Sequence, residues 1–143
     1  MGVGQQPQPR AADMRHHAAG FVVRATARHR LPLDFTVASL RVADFLVDGL
    51  RKGASERASV AGVLFGIGAY VGEVLVRRAG AVWVEFDDAQ RAYFGQPVGV
   101  RMPDERVWNP LGKVVNRFEL GREESLHTFY LTLHGRGRAC AAL

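Results

Sequence analysis

A disulfide is the first thing this chain cannot have: its 143 residues include one cysteine, Cys140, so no internal bridge can form. Cysteine usage of that kind suits a reducing compartment, and a cytoplasmic protein is the expectation. No stretch approaches roughly 18 apolar residues free of charge, so a membrane-spanning helix is not expected. The short run Ala18–Val23 leads straight into Arg24, which excludes a secretory apolar core. Metal motifs are missing too. There is no H-E-x-x-H and no C-x-x-C, His16-His17, His29 and His134 stand apart, and neither a metal nor any other cofactor is expected. Nucleophile motifs are equally scarce. No G-x-S-x-G elbow occurs, Cys140 lies in the tail, and Ser125 and His127 at i and i+2 do not face each other on a helix. No catalytic residue is assigned.

What the chain has is arginine. Seventeen arginines accompany Lys52 and Lys113, for a net charge of +5. Basic proteins attract phosphate backbones by releasing their counterions. Here the excess sits at the ends. Residues 1–34 carry five arginines against Asp13 and Asp34, and 135–143 add Arg136 and Arg138, while 35–134 is neutral with 12 charges of each sign. No aromatics interleave with the basic residues as a base-stacking platform needs, so nucleic acid is disfavoured as a partner. The arginine bias reads as the base composition of a high-GC bacterium. An Arg-rich, acid-poor start is also the pattern of a mitochondrial transit peptide.

With 48% apolar and 23% charged residues, the composition is that of one ordinary globular domain. Residues 1–30 read as a disordered basic segment, 31–134 as the domain, and 135–143 as a frayed tail. Thr36 and the spacing of Leu40, Ala43, Leu46 and Leu50 predict a helix over about 37–51. Val60, Leu64, Ile67, Val71, Val74 and Leu75 predict a second one, entered after Ser55 or Ser59 and stopped by Gly80. Ala81–Phe86 and Pro97–Met102 read as strands of a hairpin, with Tyr93 and Phe94 in its long loop. Asn109-Pro110 marks the start of a third helix, which ends at Gly121, and Glu123-Glu124 opens a fourth that ends at Gly135. The order of elements gives an α+β domain, about four helices packed on a short antiparallel hairpin or small sheet.

Gly66, Gly68 and Gly72 form G-x-G-x-x-x-G, with Asp87 placed where an acid would meet a ribose hydroxyl. Against a nucleotide loop, the helical spacing runs from Val60 to Leu75 straight through the required turn. The competing reading is that these glycines let a neighbouring element approach closely. Glu124-Ser125-Leu126-His127 has the E-x-x-H spacing of di-iron bundles, but only one copy is present. Glu73, set in an apolar helix, needs a cation or several donors, and Arg117 is the expected partner. Trp83 and Trp108 would then be core or the walls of a cleft.

Gly68-Ala69-Tyr70-Val71-Gly72-Glu73, the Arg77-Arg78 pair, Gly80 and Trp83 resemble a recurring pattern in small bacterial proteins of uncharacterised function. Trp108-Asn109-Pro110, Val114, Arg117, Gly121, Ser125-Leu126 and Phe129-Tyr130 resemble its second half. The resemblance covers about 35–132. It implies that Gly72-Glu73 belongs to a helix entering a strand; it implies no reaction and no catalytic residue. At Ala81-Val82 the chain departs from the pattern, where a second glycine would stand, so the entry to the hairpin is expected to differ.

The leading expectation is a non-catalytic domain binding a protein or small ligand at a surface formed by Glu73, Trp83, Trp108, Asn109, Lys113 and Arg117. The alternatives are a nucleotide-binding enzyme or sensor using Gly66–Gly72 with Asp87, and a nucleic-acid accessory protein acting through its basic ends. No membrane partner is expected, and homo-oligomers are compatible with the sequence.

Overall fold

The computed structural model describes residues 8–53 and 56–133. The first seven residues and the expected tail at 135–143 lie outside them. After a 3-10 turn at Ala11–Asp13 come α1 (Met14–His29), α2 (Leu40–Lys52) and α3 (Arg57–Ala79). Strand β1 (Val82–Glu85), α4 (Asp88–Phe94), β2 (Val98–Arg101), β3 (Val107–Trp108) and α5 (Pro110–Leu120) follow. A second 3-10 turn, Arg122–Glu124, leads into α6, described over 126–133. Among the described residues there are thus six helices and a three-stranded antiparallel sheet. The α+β class holds, with more helices than the apolar spacing announces.

Helix α3 is the axis on which the rest is assembled. Val60, Leu64, Ile67, Val71, Val74 and Leu75 are all buried, as their spacing requires. By length and composition α3 could cross a membrane: Ala58–Ala79 contains a window of mean hydropathy 1.8. That window is 67% buried inside the fold, where α3 is the core helix. Gly80, at φ 74°, turns the chain out of α3 in the left-handed conformation that glycine adopts without cost.

The sheet lies beside the second half of α3. Trp83 pairs with Val100 and Glu85 with Val98 across β1 and β2, and Val100 pairs with Trp108 across β2 and β3. Both Val98 and Val100 are fully buried, so β2 is the sheet's inner strand. The expected long hairpin loop contains α4 instead. Asp87 accepts the Gln90 amide (2.8 Å) while the Gln90 side chain accepts the Asp87 amide (3.0 Å), a complete capping box. Phe94 stacks on Phe86 (4.9 Å between centroids), which ties this short helix to the end of β1. At α5, the Asn109 side chain accepts the Gly112 amide (3.0 Å) ahead of Pro110 at the first helical position, as the sequence announces.

The first thirty residues depart from the sequence reading. Residues 14–29 are helical, and Met14, Ala18, Phe21 and Ala25 form a buried stripe against the core. Their spacing of four, three and four is helical. Two alanines among the four, with Gly20 and several arginines between, make the stripe weak in hydropathy.

Candidate functional site

The glycines of α3 are packing seats, not a loop. Helix α3 runs unbroken through Gly66, Gly68 and Gly72, so the turn that would cradle a pyrophosphate does not exist there. A Cβ at Gly66 would stand 2.7 Å from the Phe21 ring of α1, and one at Gly68 would stand 2.6 Å from Leu111 of α5. At Gly72 it would lie inside the van der Waals envelope of the Trp83 indole. Gly62/Gly66 and Gly68/Gly72 are two i, i+4 pairs on different faces of one helix. Asp87, the supposed ribose ligand, instead caps α4.

Glu73 and Arg117 are both buried, with 2% of each exposed, but the expected pair between them does not form. The Glu73 carboxylate accepts Arg77 Nε (3.0 Å) from the next turn and Trp83 Nε1 (3.2 Å) from β1. Arg77 also lies 3.7 Å above the Phe35 ring, and Phe35 stacks on Tyr70 (4.8 Å). The fully buried Tyr70 hydroxyl accepts the Phe35 amide (2.8 Å) and donates to Ser39 Oγ (2.6 Å), whose own proton goes to the Thr36 carbonyl (2.6 Å). Burial pushes the Tyr70 phenol above its ordinary value, outweighing the stabilisation of phenolate by its donors.

Arg117 reaches across to α2. Its Nε meets Asp44 (2.9 Å) and its Nη2 meets Asp48 (2.9 Å). Asp44 also accepts Ser125 Oγ (3.0 Å) and the amides of Leu126 (2.8 Å) and His127 (3.2 Å). A carboxylate from α2 therefore caps the first turn of α6 from outside that helix, where the unpaired amides favour an anion. The sequence reading missed Asp44 and Asp48. Their i, i+4 spacing beside the apolar stripe of α2 is the only local signal they give.

The remaining predicted residues form a third cluster. Lys113 pairs with Glu124 and lies 5.4 Å from the Phe129 ring, while Trp108 meets Phe129 edge-on at 6.0 Å. Asn109 is held at the α5 cap and also donates to the Phe94 carbonyl (3.1 Å). Glu124 lies in the 3-10 turn and His127 in α6, so E-x-x-H does not share one helical face. Among the described residues no group of three His, Cys, Asp or Glu side chains could hold a metal. The six residues singled out in the sequence thus fall into three clusters engaged with their neighbours.

A concave feature lies elsewhere. Residues of α1, α2 and the first half of α3 line a groove of about 670 Å³. Phe21 and Ala25 of α1, Leu46 and Leu50 of α2 and Val63 of α3 supply its apolar lining. Phe45 stands at its edge with 66% of its surface exposed. Gly49 and Gly62 also line it, and a Cβ at either would meet nothing within 4 Å. Its cations are Arg24 and Arg28, one turn apart on α1 and without an acidic partner among the described residues.

No protein-family model, curated protein or solved structure matches this chain.

Proposed function

We propose that this is a non-catalytic binding domain acting through the groove between α1, α2 and α3. The observation that carries the reading is the pair Gly49 and Gly62. A glycine inside a helix costs about 1 kcal/mol relative to alanine. At Gly66, Gly68 and Gly72 a neighbouring side chain occupies the vacated space, whereas in front of Gly49 and Gly62 the space is open. Two bare helix walls face a cleft whose size falls within the roughly 300–1,000 Å³ of ligand sites, with apolar walls and a few polar groups. The exposed Phe45 and Val63 are apolar surface that an occupant would cover. A reducing, cytoplasmic setting suits the lone cysteine.

Titration with the neutral fluorophore N-phenyl-1-naphthylamine tests this reading. Enhanced emission is expected with the natural chain and its loss with Gly62→Leu, which fills the groove while keeping α3 helical by circular dichroism. Equal emission from both proteins would count against the groove.

A further inference from the structure

We propose that the occupant of this groove is a free amphipathic carboxylate: an acyl or aryl chain along the apolar walls with its anionic head between Arg24 and Arg28. The inference rests on the groove being the binding site. It adds the chemistry of what binds.

Charge complementarity at one place on an otherwise apolar surface selects this occupant. Phe21, Ala25, Leu46, Leu50, Val63 and the two open glycines offer no hydrogen-bond partner from their side chains. An occupant there gains mainly by removing apolar area from water, at about 25 cal/mol per Å². The two arginines break that pattern. They project from α1 at i and i+4, with Arg24 Nη1 standing over Gly20, so an anion at the rim of the groove would meet two cations spaced about one helical turn apart. Guanidinium and carboxylate match in planar, two-pronged geometry, and such charge-assisted bonds are about twice as strong as neutral ones.

The same arginines exclude other occupants. A second copy docked groove to groove would bring no acidic side chain from that lining to meet the two arginines. A neutral or cationic amphiphile would leave both guanidinium groups without a counter-charge.

Three probes matched in chain length and kept below micellar concentration decide the matter: decanoate, 1-decanol and decyltrimethylammonium. Binding is followed by the amide shifts of α1, α2 and α3. Decanoate is expected to bind at least about tenfold more tightly than either of the others. The double variant Arg24→Gln/Arg28→Gln, which changes two exposed side chains, should lower decanoate affinity about tenfold and leave decanol unchanged. A tenfold change corresponds to about 1.4 kcal/mol, within the range of a charged hydrogen bond. If all three probes shift the groove amides alike, the groove binds but the carboxylate assignment is overturned. If none does, both the assignment and the groove reading fall. Concentration-dependent shifts at Phe45 and Val63 without ligand would replace the carboxylate with a second copy. Co-sedimentation with phosphatidylglycerol vesicles without a response to decanoate would replace it with a membrane surface.

Discussion

Glu73 is 2% exposed, and removing its carboxylate would leave Trp83 Nε1 and Arg77 Nε without their acceptor. Glu85 is exposed and, among the described residues, accepts the Ala11 amide at 3.4 Å. Glu73→Ala is therefore expected to cost about 1–3 kcal/mol and Glu85→Ala less than about 0.5, read as the difference in melting temperature between the variants. The need for partners at Glu73 was legible from its apolar setting. Their identity was not, because the choice between Arg77 and Arg117 depends on the rotation of α3 against α5. Tyr70 supplies a pH test. Its folded-state phenol is raised above the ordinary value of 10.0, so the native state holds its proton longer than the unfolded chain does. That contribution is fully present below pH 10.0 and is lost as pH rises toward the raised value. Tyr70→Phe should be less stable near neutrality, having lost its bonds to Ser39 and Phe35, yet its denaturant midpoint should fall less steeply above pH 10 than that of the natural chain.

At the scale of elements, α3 is a rod whose glycines differ in what faces them. Gly72→Ala would drive a methyl group into the Trp83 indole and push β1 off the helix. A loss of about 1–3 kcal/mol is expected from such overpacking. Gly62→Ala meets open space, and there alanine should gain about 0.5–1 kcal/mol by restricting the unfolded chain and improving helix propensity. Opposite shifts in urea midpoint within one helix would be the signature; shifts of the same sign would show that α3 packs differently. The rod itself was readable from Val60 to Leu75, and α5 from Asn109-Pro110 and Gly121. Helix α4 was not recognised because Asp87-Asp88 also reads as a turn; Gln90, completing the capping box, was the overlooked signal. Helix α1 was hidden by composition, since arginines, alanines and glycine dilute a stripe of only four buried residues.

At the scale of the molecule, two polar arrangements join parts of the fold that the apolar core alone would leave weakly specified. Glu73 ties α3 to β1, and Arg117 with Asp44 and Asp48 ties α2 to α5 and to the start of α6. Arg117→Ala would strand two partly buried carboxylates, and a loss of about 3–5 kcal/mol is expected by chemical denaturation. The Arg117 and Leu126 contacts of Asp44 join residues 73 and 82 positions apart, beyond the reach of local spacing. The groove was invisible for a related reason: its lining comes from three separate helices, and its most informative residues, Gly49 and Gly62, are informative because an added Cβ would meet nothing there. The proposed binding lies there, away from the Glu73 and Trp108 clusters. An amide-shift map recorded during a decanoate titration tests that most directly. Shifts centred on residues 21–28, 45–50 and 62–63 are the predicted result, and a map centred on Trp83, Trp108 and Lys113 would contradict it.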